Sequence, residues 1–285
     1  MSARSTSRAV GSIALLCLLA APSSPTTAAP LPQIDDRPIL VIGASYVDGR
    51  LPFNNGLQAP FGGSSVGFGS FLSVGDALVR AGSFVINEGQ AGATTFDRNL
   101  CLVDTCVPVG WQGYQTQLQK AAARVAIPNP VDPTQALGYN AQYVYIGMPN
   151  DCLHSGAVEL PGQVSSPCTL AEVDAIADRL IDVGENAMDL GLVPIFTEYP
   201  DYDDIDLSIQ AAATGLTWYV DETQWEQIAS TVHSRIADEL PGAIIVDAWR
   251  NIEVGPDGLH PVPKSAQKAA RRIKKGIEEY EAGCE

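Results

Sequence analysis

Four short segments of the chain carry residue types suited to acyl transfer. Gly43-Ala44-Ser45-Tyr46 offers a hydroxyl, and a serine is a weak nucleophile until a neighbouring base takes its proton. The bases on offer are few: His154, His233 and His260. His233 falls within an amphipathic helical pattern and reads as a surface or packing residue, and His154 falls between Cys152 and Cys168. His260 lies in Asp257-Gly258-Leu259-His260-Pro261, with a carboxylate three residues upstream. That spacing lets acid and imidazole project from one tight turn. The acid then selects the tautomer and steadies the imidazolium, while the other ring nitrogen takes the serine proton. Two further segments supply hydrogen-bond donors without adding charge: Asn87 to Thr94, which contains Gly92, and Gly147-Met148-Pro149-Asn150-Asp151. A glycine amide and an asparagine amide suit a developing oxyanion. Each segment alone also reads as an ordinary turn, so the signal lies in their order along the chain.

The elements that must position these groups can be read from apolar periodicity. Five short β-rich runs, Ile39 to Ile42, Phe84 to Ile86, Tyr143 to Ile146, Val193 to Phe196 and Ala243 to Val246, predict buried strands. Between them run helical patterns. Two open on capping boxes, Thr169 with Glu172 and Thr223 with Glu226. Val173, Ile176, Leu180 and Ala187 make one apolar stripe, and Trp225, Ile228, Val232, Ile236 and Leu240 make another. Strands alternating with helices predict right-handed βαβ units and a three-layer α/β/α sandwich around a five-stranded parallel sheet. Sites in such sheets sit at the carboxyl ends of the strands. Long Gly/Pro/Asn-rich loops, roughly residues 46 to 66, 88 to 112 and 148 to 168, follow the first three strands on that side.

The four segments together resemble those of the SGNH hydrolases, the superfamily of GDSL-type esterases and lipases, over nearly all of the chain beyond its first thirty residues. The resemblance implies a flavodoxin-like fold and ester hydrolysis through an acyl-enzyme, without metal or organic cofactor. It implies Ser45 as nucleophile, His260 as general base and Asp257 as orienting acid. It implies an oxyanion hole made by the Ser45 amide, Gly92 and Asn150. Gly92 is preferred to Gly89 because Ala91-Gly92-Ala93-Thr94 matches the family's small-Gly-x-Thr block. The chain departs from the family at Ala44 and Tyr46, where Asp and Leu flank the usual serine. It departs again in the third block, where an extra residue such as Pro149 turns G-x-N-D into G-x-x-N-D. Nor is this the G-x-S-x-G elbow of the α/β-hydrolases, because Val47 stands where the second glycine would be.

Composition narrows the partners. The 285 residues carry 33 Asp+Glu against 17 Lys+Arg, a net charge of -16, so the basic footprint of a nucleic-acid binder is missing. Six basic residues concentrate in the last helix, Lys264, Lys268, Arg271, Arg272, Lys274 and Lys275, and read as a solvated face. The first 29 residues read as an export leader: Arg4 and Arg8, an apolar run from Ile13 to Ala21, and a small-residue zone at Thr27-Ala28-Ala29. That run is short of the ~20 residues of a membrane span, so no stable membrane insertion is expected. Residues 30–285 are expected to form one domain, secreted and monomeric. Export makes the cysteines disulfide candidates, with Cys101 to Cys106 and Cys152 to Cys168 as the near pairs and Cys284 left over. A zinc site is disfavoured by the scarcity of histidine and the lack of a C-x-x-C. Expected substrates are small acyl esters, lipid esters or acetylated carbohydrate. An O-acetyl esterase of carbohydrate and a non-catalytic binding protein on the same fold are the alternatives.

Overall fold

Alternation decides the two faces of the central sheet. Leu40 and Ile42 point to one side of the first strand and Ile39 and Val41 to the other, and all four are buried because helices cover both faces. The computed structural model describes residues 37–48, 72–102, 105–153, 167–214 and 217–283, with the side chains of 98–110 and 213–214 left out. The leader-like residues 1–29, His154 and Cys284 lie outside the described residues. In chain order the elements are β1 (Ile39–Ile42), α1 (Ser45–Asp48), α2 (Val74–Arg80), β2 (Val85–Asn87), β3 (Arg98–Leu102), β4 (Thr105–Trp111) and α3 (Tyr114–Val125). Then come β5 (Ala126–Pro128), β6 (Ala136–Tyr139), β7 (Tyr143–Ile146), α4 (Leu170–Asp189) and β8 (Val193–Thr197). The chain closes with α5 (Leu207–Thr214), α6 (Glu222–Glu239), β9 (Ile244–Val246) and α7 (Pro263–Gly283).

The five expected strands form one parallel sheet in the order β2-β1-β7-β8-β9. Helices α3, α4 and α6 pack with Leu40, Ile42, Val144, Ile146 and Phe196 on one face. Helices α2 and α7 pack with Val41, Tyr145, Ile195 and Val246 on the other. This is a three-layer α/β/α sandwich, and its strand order reverses direction between β1 and β7, the place at which sheets of this kind bind ligands beyond their carboxyl ends. Trp225, Ile228, Val232 and Ile236 of α6 are each at most 4% exposed. Burial at about 1.5–3 kcal/mol per side chain makes that stripe, and not helix propensity, the reason α6 docks.

Three expectations are corrected. Helix α6 begins at a different capping box: Asp221 accepts from the Gln224 amide at 2.9 Å while the Gln224 side chain accepts from the Asp221 amide at 3.0 Å. Both boxes fit the rule, and the earlier one lets the helix gain further backbone bonds. The second strand runs one residue later than expected, leaving Phe84 57% exposed. The segment expected as a Gly-rich loop between β2 and α3 contains an antiparallel hairpin, β3–β4, and a second hairpin, β5–β6, follows α3. Neither hairpin joins the main sheet, so neither shows the continuous apolar run of a doubly covered strand.

Candidate active site

Strand β1 ends at Ile42, and past Gly43 the chain turns into the single helical turn α1 with Ser45 as its first residue. Gly43 sits at φ +144°, and a Cβ there would lie 2.8 Å from the Val47 side chain and 3.1 Å from the Gly147 backbone, so only glycine fits this turn. The side chain of Gln117, reaching from α3 and itself fully buried, accepts from the Gly43 amide at 2.7 Å and donates to the Gln112 carbonyl at 2.8 Å. Nothing in the spacing of Gln117 from Ser45 announces this support.

Ser45 meets His260 across the sheet: Ser45 Oγ lies 2.8 Å from His260 Nε2, and His260 Nδ1 lies 2.5 Å from Asp257 Oδ2. All three are at most 9% exposed. The carboxylate is organised from within its own turn, since Asp257 Oδ1 accepts from the amides of Leu259 at 3.1 Å and His260 at 3.0 Å. Burial works against its charge. The hydrogen bond and charge of His260, with those two amides, outweigh burial and hold Asp257 below the ordinary carboxylate range. With Asp257 ionised, the proton of neutral His260 sits on Nδ1 and the Nε2 lone pair is aimed at the serine hydroxyl. His233 of α6, by contrast, lies 3.4 Å from Glu198, lines a pocket with Thr197 and Tyr199, and has no link to Ser45 among the contacts described.

Gly92 and Asn150 belong to the two neighbouring loops. Gly92 is buried at φ +82°, a left-handed conformation natural to glycine, and Asn150 Nδ2 donates to the Ala93 carbonyl at 3.3 Å, so the two loops touch. An amide nitrogen carries two hydrogens, and this bond uses one. A buried polar cluster ties the loops together just behind. Asp151, 3% exposed, accepts from the Thr95 amide at 2.8 Å, the Thr95 hydroxyl at 2.5 Å and Arg179 at 3.1 Å. Arg179 Nε donates to Thr95 Oγ1 at 2.5 Å. Asp48 of α1 accepts from the Ala91 amide at 3.1 Å, and Trp111 Nε1 donates to the Ala91 carbonyl at 2.6 Å. The lengthened third block is pinned by two tyrosine hydroxyls, Tyr114 to the Met148 carbonyl at 2.7 Å and Tyr199 to the Pro149 carbonyl at 3.4 Å.

Cys152 and Cys168 form a disulfide that joins this loop to the residue before the N-cap of α4. Cys101 and Cys106 are register partners across the β3–β4 hairpin, but a bond between them rests on side chains outside those described. The basic residues of α7 are largely engaged: Lys264 with Glu253, Lys275 with Glu279, Arg272 with the Ala248 and Arg250 carbonyls, and Lys274 with the Ala81 carbonyl. Among the described residues no helix is long and apolar enough to cross a membrane.

No protein-family model matches the chain, and no curated protein sequence matches it. Solved structures do. One aligns over 85% of this chain and 97% of its own at 15% identity and a TM-score of 0.51. A GDSL-like lipase from Bacteroides thetaiotaomicron aligns over 86% of this chain and 89% of its own, at 10% identity and a TM-score of 0.47. A catalytic mutant of an acetylxylan esterase from Geobacillus stearothermophilus aligns over 85% and 94%, at 16% identity and a TM-score of 0.43. At such identities the likeness is one of fold. The five-stranded parallel sheet between two helical layers is the fold class expected from the sequence.

Proposed function

We propose that this chain, which has the three-layer fold of the SGNH hydrolases, is a secreted serine esterase that cleaves carboxylic esters through an acyl-enzyme. One observation carries the reading: the buried relay Ser45 Oγ to His260 Nε2 at 2.8 Å and His260 Nδ1 to Asp257 Oδ2 at 2.5 Å. Ser45 Oγ attacks the ester carbonyl as His260 Nε2 takes its proton. The imidazolium, steadied by Asp257, then returns the proton to the departing alcohol, and water repeats the sequence to free the acid. The negative oxygen of each tetrahedral intermediate is received by the Ser45 amide, the Gly92 amide and the Asn150 side chain. The leader-like residues 1–29 and the Cys152–Cys168 bond support export to an oxidising compartment.

The test is covalent and kinetic. A fluorophosphonate should add once, at Ser45, by intact mass and peptide mapping. Ser45→Ala and His260→Ala should each lower kcat by about 10⁴ to 10⁶ on p-nitrophenyl esters, and the double variant should be hardly worse, because the group acts as a unit. A folded Ser45→Ala protein that keeps more than a few per cent of the rate overturns the reading. Running esters of rising chain length beside acetylated xylan and acetylated peptidoglycan sets the substrate class.

A further inference from the structure

We infer that the Tyr46 hydroxyl is a positioning group for the Ser45–His260 pair, tying the acid–base turn to the segment that carries the nucleophile. The inference rests on the esterase reading above. Tyr46 follows Ser45 directly in the chain, and its hydroxyl donates to the Leu259 carbonyl at 2.6 Å, one residue before His260. Its ring packs edge-on against Trp249, with centroids 4.8 Å apart at 73°, and lies 5.8 Å from the His260 ring. Tyr46 is 6% exposed and Trp249 1%, so the phenol has little freedom to swing away.

The need for such a tie follows from the geometry of the turn. Asp257 closes Gly258 to His260 on itself, which sets the shape of the turn but not its distance from Ser45. Two described bonds hold the turn from outside: the Asp206 amide donates to the Gly258 carbonyl at 2.6 Å, and Tyr46 donates to Leu259. Of these, only Tyr46 leads back to the nucleophile. The Ser45–His260 hydrogen bond cannot itself set that distance, because it breaks and reforms in every turnover. A phenyl ring would satisfy the packing against Trp249 equally well, so the hydroxyl aimed at a main-chain acceptor is the feature that packing does not require. Burial first, and the charge of Asp257 second, push ionisation of this phenol far above its ordinary range, so it stays a donor at any working pH.

The experiment compares two buried phenols in the full chain. Tyr46→Phe should lower kcat about 10- to 100-fold with KM nearly unchanged, the range expected for a small misplacement of a base. The rate of fluorophosphonate labelling at Ser45 should fall by the same factor. The downfield proton resonance expected from His260 Nδ1–H in the native protein should broaden or disappear. Tyr143→Phe removes a comparable hydroxyl, on a residue 5% exposed whose phenol donates to Glu281 at 2.7 Å, and should keep the native kcat and the downfield resonance. Native kcat and labelling in Tyr46→Phe, with Ser45→Ala inactive, overturns the positioning role and leaves the esterase reading standing. Equal losses in Tyr46→Phe and Tyr143→Phe also overturn it, since the effect is then general to buried hydroxyls. Activity surviving in Ser45→Ala would instead strike at the nucleophile itself.

Discussion

The two sides of the candidate site are built in opposite ways. The turn Asp257 to His260 closes on itself through bonds two or three residues long, and a backbone bond from the Gly255 amide to the His260 carbonyl at 2.7 Å seals it. The loop carrying Asn150 is held almost wholly from outside, by partners 28 to 57 residues away on α3, α4, the β2 loop and the end of β8. One side is a local motif and the other a junction of five chain segments. A self-closing turn concentrates its role in few residues, whereas a junction spreads its support, so single substitutions should have sharply different costs on the two sides.

The largest effect tests the local side. Asp257→Asn should cost about 10⁴ in kcat, because an amide can donate to Nδ1 and so favour the wrong tautomer. The same residue predicts a pH signature. Its folded pKa is depressed, so the stability it contributes is fully present above the unfolded value near 3.8 and is lost as pH falls through the lower folded value. The stability gap between native protein and Asp257→Asn, measured by denaturant titration, should therefore close as pH falls below 3.8. A gap that widens on acidification would contradict this account.

Asn150→Ala comes next, at about 10² to 10³ in kcat with little change in KM, as expected for a donor that acts on the transition state. An effect confined to KM would move Asn150 from the oxyanion to the substrate. Asp151→Asn removes a charge from the buried cluster but keeps its shape. It should lower stability by about 1–3 kcal/mol, the cost of a buried polar group left imperfectly paired, and kcat about tenfold through the loosened Asn150 loop. Unchanged kcat in a destabilised Asp151→Asn would make the cluster a staple of the fold alone.

The smallest catalytic effect belongs to the disulfide. Replacing Cys152 and Cys168 together by Ser should lower kcat several-fold while the far-UV circular dichroism is retained. The bond spans a sequence separation of 16, for which loop-closure entropy amounts to about 3 kcal/mol. Full activity in that variant would show that the tyrosines and Asp151 hold the loop unaided.

The contrast also explains which features could be read from the linear chain. The β1, β7, β8 and β9 runs stand out because strands covered on both faces need unbroken apolar residues, and the helices of the outer layers because a one-sided stripe repeats every three to four residues. Ser45, Asp257 and His260 could be singled out because a hydroxyl past a strand and a carboxylate three residues before an imidazole are local patterns. The hairpin β3–β4 leaves no such signature because it lies off the main sheet and lacks the pattern of a covered strand.

What the linear chain determined by itself was therefore the layer architecture, the order of the four blocks and the self-closing turn from Asp257 to His260, all consequences of periodicity or of bonds within a few residues. Tertiary structure alone decided the meeting of Ser45 with His260, 215 residues apart, and the support that reaches it from Gln117, Tyr46, Asp151, Thr95 and Arg179. A hydrogen bond between distant segments leaves no periodicity in the sequence. Its geometry exists only after the sheet order has brought β1, β7 and the loop beyond β9 to the same rim.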